Sequence, residues 1–129
     1  MVKVGSEIKL YVILANAVDE EIVVGTSSAT EQSYKLNITD LQGKPAASTR
    51  YGRYLEGEAW IEDGKTVVVV GKYIPVHLTP SKTLKETIDL NKLYDLSQPG
   101  KFRIQAERYD EERKVWVKSN AIVVTIKAD

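Results

Sequence analysis

The chain has 129 residues, enough for one domain around one hydrophobic core. Eighteen Lys and Arg balance eighteen Asp and Glu, so the chain lacks the basic excess with which nucleic-acid binders hold phosphate. It has no cysteine and a single histidine, His77, which excludes a disulfide, a thiol nucleophile and a Cys/His zinc site.

Along the chain the dominant period is two. Residues 7–14 place Ile8, Leu10, Val12 and Leu14 on one face, the alternation of a half-buried strand. Lys3 and Lys9 precede this run, and Ala15-Asn16-Ala17 matches a small-x-small cleavage pattern. The run is shorter than a signal-peptide core of about 7–15 apolar residues and is interrupted by Glu7 and Lys9, so a strand is expected and no signal peptide. No stretch approaches the ~18 apolar residues of a membrane helix, and no membrane insertion is expected. Residues 22–24 form a short strand. Residues 33–39 alternate Tyr34, Leu36 and Ile38 against Lys35 and Asn37, and Gln42-Gly43 turns the chain after them.

Residues 45–57 are the least regular and read as a strand crossing or a long loop, the usual seat of binding residues. Asp63-Gly64 lies between Trp60-Ile61-Glu62 and Lys65-Thr66-Val67. This predicts a type I′ hairpin, whose two central residues need positive φ. Residues 66–70 read as a strand whose Val67 to Val70 run, apolar on both faces, is covered, with a dimer contact as the alternative. Residues 75–78 and 84–90 are further strands, and residues 90–96 allow one helical turn. Pro99-Gly100 predicts a type II turn. Residues 101–109 alternate again, residues 110–113 turn the chain into a strand at 114–117, and residues 121–127 form the last strand. About eight or nine short strands of this kind predict a sandwich or barrel. Its core would hold Leu10, Val12, Leu36, Ile38, Leu90, Phe102, Ile104, Val124 and Ile126.

Three segments carry a family resemblance. They are Tyr34-Lys-Leu-Asn-Ile-Thr-Asp-Leu-Gln-Gly-Lys-Pro45 with Thr49-Arg-Tyr-Gly-Arg53, then Ile88-Asp-Leu-Asn-Lys-Leu-Tyr-Asp-Leu-Ser-Gln-Pro-Gly-Lys-Phe-Arg-Ile104, then Val117-Lys-Ser-Asn-Ala-Ile-Val-Val-Thr125. In this order they resemble immunoglobulin-like domains of uncharacterised bacterial proteins, many of them exported. Leu93-Tyr-Asp-Leu-Ser97 with Pro99-Gly100 is also similar to the non-catalytic amino-terminal domain of deuterolysin-type metallopeptidases. The strand, the Asp40-x-x-Gly43 turn and the later Pro-Gly strand resemble the bacterial intracellular proteinase inhibitor family. The resemblance implies an all-β, immunoglobulin-like antiparallel β-sandwich as one domain over residues 1–129, and an exported bacterial setting. Fold likeness does not transfer activity, and nothing here matches the zinc-binding helix of the deuterolysin catalytic part. Where many such domains place a hydrogen-bonding tyrosine after the turn, this chain has Phe102.

Five residues stand out as contact candidates: Arg50, Tyr51, Arg53, Tyr54 and Trp60. These residue types dominate interface hot spots, since they bury area with few rotors and keep a polar handle. The plainer alternative folds the two tyrosines over a sheet edge and leaves the arginines solvated. His77 should point outward between Val76 and Leu78, without the partners that catalysis needs. The acidic groups at 19–21, 56–63 and 110–112 read as solvated turns before they read as calcium ligands or a glycosidase pair. Asn37-Ile-Thr39 is a glycosylation sequon on an outer face. Trp116 covers a sheet end or marks a contact surface. The leading expectation is a non-catalytic module, without cofactor, that recognises a protein through loops or a sheet edge. Proteinase inhibition by an extended loop at 45–57 or 71–80 comes second, and a carbohydrate-binding surface of Tyr51, Tyr54 and Trp60 third.

Overall fold

A computed structural model describes residues 2–128. The described chain is mostly β, with eleven strands, three of them only two residues long. In order they are β1 (Val2–Lys3), β2 (Lys9–Ala15), β3 (Ile22–Ser27), β4 (Lys35–Asp40), β5 (Ile61–Glu62), β6 (Lys65–Thr66), β7 (Tyr73–Leu78), β8 (Thr83–Asp89), β9 (Gly100–Asp110), β10 (Val115–Lys118) and β11 (Ile122–Lys127). A 3₁₀ turn covers Thr30–Ser33, and two short helices are α1 (Arg50–Leu55) and α2 (Leu90–Leu93).

The long strand β9 organises the larger sheet. One edge of it pairs antiparallel with β4, from Lys35↔Glu107 to Asp40↔Phe102. The other edge pairs with β10 and then with β11, also antiparallel. Between β10 and β11 the chain kinks at Ser119, whose N–H donates to the Ala106 carbonyl at 2.8 Å and whose Oγ accepts the Ala106 N–H at 2.9 Å. β1 adds to β11 in parallel register, so the sheet is not purely antiparallel.

The remaining long strands make two antiparallel ladders, β2 with β8 and β3 with β7. They lie end to end. Ala15 faces Thr83 at the end of one ladder, and Ile22 faces Leu78 at the start of the next. Asn16 joins them. It is almost fully buried, and its amide donates to the Leu78 and Glu20 carbonyls while its oxygen accepts the Val18 N–H. A buried amide that satisfies three backbone groups fixes the corner where both strands break.

The core sits between the β2–β8 ladder and the larger sheet. Ile8, Leu10, Ile88 and Leu90 from one side meet Ile38, Ile104 and Ile126 from the other, with Leu93, Tyr94 and Leu96 closing one end. All nine expected core residues belong to this cluster or pack against it. The alternation of β2 holds: Ile8 and Leu10 are buried, Val12 and Leu14 half-buried, Tyr11 and Ile13 exposed. Asp63 and Gly64 both have positive φ, 50° and 72°, and close the β5–β6 hairpin as its turn type requires.

Three local expectations fail. Gly100 does not take the positive φ of a type II turn; it begins β9, where it faces Ile126 in the ladder with β11. Residues 45–57 contain α1 instead of a strand or an open loop. Residues 67–70 are not a covered strand. The hairpin ladder stops at Val67, whose N–H donates to Trp60, and Val68 and Val70 stand 67% and 83% exposed. Among the described residues no strand pairs with the valines, and the Val69 N–H donates to the Tyr54 hydroxyl instead.

A hydroxyl partner also exists where the sequence shows Phe102. Tyr94, buried at the end of α2, donates to the Leu36 carbonyl at 3.3 Å. This hydroxyl ties the end of α2 to β4, eight positions before Phe102 in the chain.

Candidate functional site

The site is built around α1. Six residues are too few to form a stable helix alone, so α1 depends on its caps and on its seat. Thr49 caps its start, accepting the Gly52 N–H at 3.0 Å, while its own hydroxyl donates to the Lys92 carbonyl. The preceding strip pairs with the end of α2: the Thr49 N–H donates to Leu93 and the Asp95 N–H to Ala47. Gly52 lets the two helices touch, because a Cβ at that position would lie 2.1 Å from the Leu93 carbonyl oxygen. Gly52→Ala should therefore lift α1 off α2 and cost about 1–3 kcal/mol, the usual range for overpacking. A chemical melt and amide exchange at the Thr49 N–H would show it; a wild-type melt with a protected Thr49 would refute it.

The five candidate residues gather on this platform. The Tyr51 and Tyr54 rings stack with centroids 6.4 Å apart and 18° between planes. Trp60 lies 6.4 Å from Tyr51 and 6.1 Å from Tyr54, tilted 45° and 59°. The Arg50 guanidinium sits over the Trp60 ring at 5.8 Å. Arg50 and Arg53 both meet the Glu58 carboxylate, at 3.1 and 3.3 Å. Arg50 also donates to the Ala59 carbonyl, and Arg53 to Ser48. Apart from the exposed Arg53 the patch is half-buried, and it is internally braced. The Tyr51 hydroxyl donates to Glu31 at 2.9 Å, and burial with that carboxylate pushes its pKa up to about 12. The tyrosines fold down, as the plainer alternative had it, but the arginines are anchored on Glu58, Ala59 and Ser48 and not loosely solvated. The three rings do not share one plane, as a sugar-stacking platform would require.

Beside the patch runs a groove of about 650 Å³ between β4 and α1. Its walls include Leu36, Ile38, Gly52, Leu55, Tyr94 and Trp116, and its charged lining is Glu31, Lys35 and Glu56. Nothing in the sequence marks this groove, since it joins the edge of one strand to a helix that the sequence does not announce. The nearest signal is the Thr49 cap followed by residues that end at Leu55.

The other candidates lie elsewhere. His77 is exposed as alternation requires, with its Nδ1 3.4 Å from Glu21. Asp110 closes the β9–β10 turn by accepting the Glu112 and Arg113 N–H groups. Among the described residues no three His, Cys, Asp or Glu side chains form a set that could hold a metal ion. Asn37 is exposed on β4. Trp116 is 54% exposed and meets Tyr109 edge-on at 5.5 Å, with Val115 and Val117 also exposed. Neither segment considered for proteinase inhibition projects as an extended loop: residues 45–57 fold onto α2, and most of 71–80 is laddered to β3.

One ion pair is largely enclosed between β8 and β9. Glu86 on β8 and Arg108 on β9 lie 3.5 Å apart, with side chains 9% and 14% exposed. The Tyr34 hydroxyl donates to Glu86 at 2.6 Å, Arg108 covers the Tyr34 ring, and Arg108 donates to the Gly25 carbonyl. Burial and the adjacent carboxylate raise the Tyr34 pKa well above the usual 10.0. A folded-state pKa above the unfolded value means that protonated Tyr34 stabilises the fold below about pH 10 and loses that contribution as pH rises further. Tyr51 and the buried Tyr94 act in the same sense. Stability should therefore fall from about pH 10 upward, and Tyr34→Phe should flatten the fall. Urea midpoints across pH 8–12 test this; an equal alkaline loss in both proteins would contradict it.

No helix among the described residues is long and apolar enough to cross a membrane. Comparison with protein-family models, with curated proteins and with solved structures finds no match.

Proposed function

We propose that the chain is a non-catalytic, immunoglobulin-like protein-binding module that recognises its partner through the surface around α1. The observation that carries this reading is the convergence of Arg50, Tyr51, Arg53, Tyr54 and Trp60 on a helix seated against α2. Aromatic and arginine side chains already held in place lose little freedom on binding, which is what a contact surface needs. The immunoglobulin-like part of the reading is supported by the pairings. β4, β9 and β11 lie side by side and antiparallel, β1 joins β11 in parallel, and β2 pairs with β8 across the core. An immunoglobulin-like domain would have such an order, with strands C, F and G and an added A strand in one sheet facing B and E in the other, which supports the reading. The exposed, singly paired His77 fits a module without catalysis.

The test is selection of a displayed peptide and protein-domain library on the immobilised chain, with Arg53→Ala and Trp60→Ala as counter-targets. Binders that lose at least tenfold in affinity on both variants support the reading. Binders indifferent to both, or binding only to a glycan panel, overturn it.

A further inference from the structure

The larger sheet has an uncovered stretch of edge at β10. Among the described residues β10 pairs with β9 and with no other strand. β1 covers the same side of the sheet only from Ile126 on. One bond shows which backbone groups are left open. The Ser119 N–H donates to the Ala106 carbonyl, one place past the Lys118↔Glu107 pair in the ladder. In an antiparallel pair the N–H and C=O of one residue point the same way, alternately toward and away from the neighbour. Val115 and Val117 therefore turn their backbone groups to β9, as Ser119 does. Trp116 and Lys118 turn theirs outward, and among the described residues these groups have no hydrogen-bond partner. The side chains do not shield the edge. Val115, Trp116 and Val117 are all exposed. Lys118, a residue type that keeps a second strand away from an edge, is drawn to Glu107 at 3.3 Å.

We propose that β10 joins, edge to edge and antiparallel about a two-fold axis, the β10 strand of a second copy of the chain. The inference is independent of the contact surface around α1. Charge selects the occupant and the register. A two-fold pairing must set outward residues opposite outward residues. Trp116 opposite Trp116 would set Lys118 against the second copy's Lys114, which has already left the strand with a φ of 55°. Lys118 opposite Lys118 would set like charges together at the axis, and like charges directly opposite are destabilising. Trp116 opposite Lys118 has neither fault. In that register each Trp116–Lys118 pair exchanges both of its main-chain bonds. Val117 meets Val117 at the axis, and Lys114 lies opposite Asn120. Because Trp116 faces Tyr109 and Lys118 faces Glu107 on β9, the row across the joined sheets reads Tyr109, Trp116, Lys118, Glu107. Each ammonium then sits between an indole of the other copy and a carboxylate of its own, a favourable place for a cation. The edge strand holds four residues, a length of about 14 Å at about 3.4 Å per residue. That is short for a permanent interface, so the dimer is a weak, exchanging one, with Kd between about 10 µM and 1 mM.

The unaltered chain is tested first. Sedimentation from about 20 µM to 1 mM should show a monomer–dimer equilibrium, and amide exchange at Trp116 and Lys118 should slow as concentration rises. Val117→Lys brings two ammonium groups together at the axis and should weaken the dimer by about tenfold or more. The exchange readout needs no substitution and decides the matter if that variant unfolds. Register is read by single cysteines, since the chain has none of its own. Val117 faces its own counterpart in a pair without main-chain bonds, where Cα atoms come within about 4.5 Å, inside disulfide reach. Val115 lies opposite Ser119, with its own counterpart about 14 Å along the edge. Oxidised glutathione accepts the two electrons and leaves as two thiols while the two cysteines join. Val117→Cys should form the covalent dimer about tenfold faster than Val115→Cys or than Ile13→Cys on the exposed face of β2. A monomer throughout the concentration range, protection away from Trp116 and Lys118, a dimer indifferent to Val117→Lys, or equal cross-linking of the three cysteine variants would overturn the inference. So would a monomer whose Trp116 and Lys118 amides are protected by a library peptide, which would assign the edge to a different partner.

Discussion

Glu86→Ala should destabilise the fold by about 3–5 kcal/mol, the cost of stripping one partner from a buried ion pair. The carboxylate accepts the Tyr34 hydroxyl and neutralises Arg108, and both partners remain enclosed once it is gone. Arg108 would keep its bond to the Gly25 carbonyl but face a desolvated site with no counter-charge. Against a total stability of about 5–15 kcal/mol, this single change threatens folding at ordinary temperature. The compensating double replacement Glu86→Leu with Arg108→Met should recover most of the loss, because a pair of well-packed apolar side chains has no charge to desolvate. Urea unfolding of the three proteins reads both numbers. A single-variant loss under about 1 kcal/mol would mean that the triad is solvated in practice, and a double variant as unstable as the single would mean that packing, and not charge, holds these strands.

The second large effect is expected at Ile88. It is fully enclosed on β8, opposite Leu10 in the ladder and among Ile38, Ile104 and Ile126 across the core. Ile88→Ala removes three carbons from a fully enclosed site, at a cost of about 2–5 kcal/mol. Ile13→Ala, on the exposed face of β2 at 66% exposure, should change stability by less than about 0.5 kcal/mol. Parallel denaturation curves measure the contrast. Equal losses at the two positions would place Ile88 outside a single packed core.

Much of the β architecture is legible in the chain because its signal is local. Ile8, Leu10 and Val12 alternate with Lys9 and Tyr11, and one face of that strand must be buried. Asp63-Gly64 demands its turn wherever it occurs. The nine core residues named from alternation all reach the core, but Leu93, Tyr94 and Leu96 do not alternate and were not among them; they enter it from a helical turn and the strip after it. The same limit hid α1. Arg50-Tyr-Gly-Arg-Tyr-Leu55 contains a glycine and two aromatics, weak helix formers, and is held by contacts with α2 that lie some forty residues away. The valine run at 67–70 has the composition of a strand and, among the described residues, no strand partner to make it one. Pro99-Gly100 has the composition of a turn, yet ladder pairing with β11 overrides it. The five contact candidates could be picked by residue type, while their mutual geometry could not, because Trp60 reaches Tyr51 and Tyr54 only after α1 has formed.

The end-to-end ladders joined at Asn16 also bear on how the chain reaches this state. Lys9 meets Asp89, Ser27 meets Tyr73 and Lys35 meets Glu107, so nearly every long pairing closes a large loop before it gains anything. In the β9–β10 hairpin, by contrast, the partners are close neighbours in sequence. High contact order of this kind places folding in the millisecond-to-second range, with the segment from β9 through β10 as the natural early structure and the Asn16 corner among the last to lock.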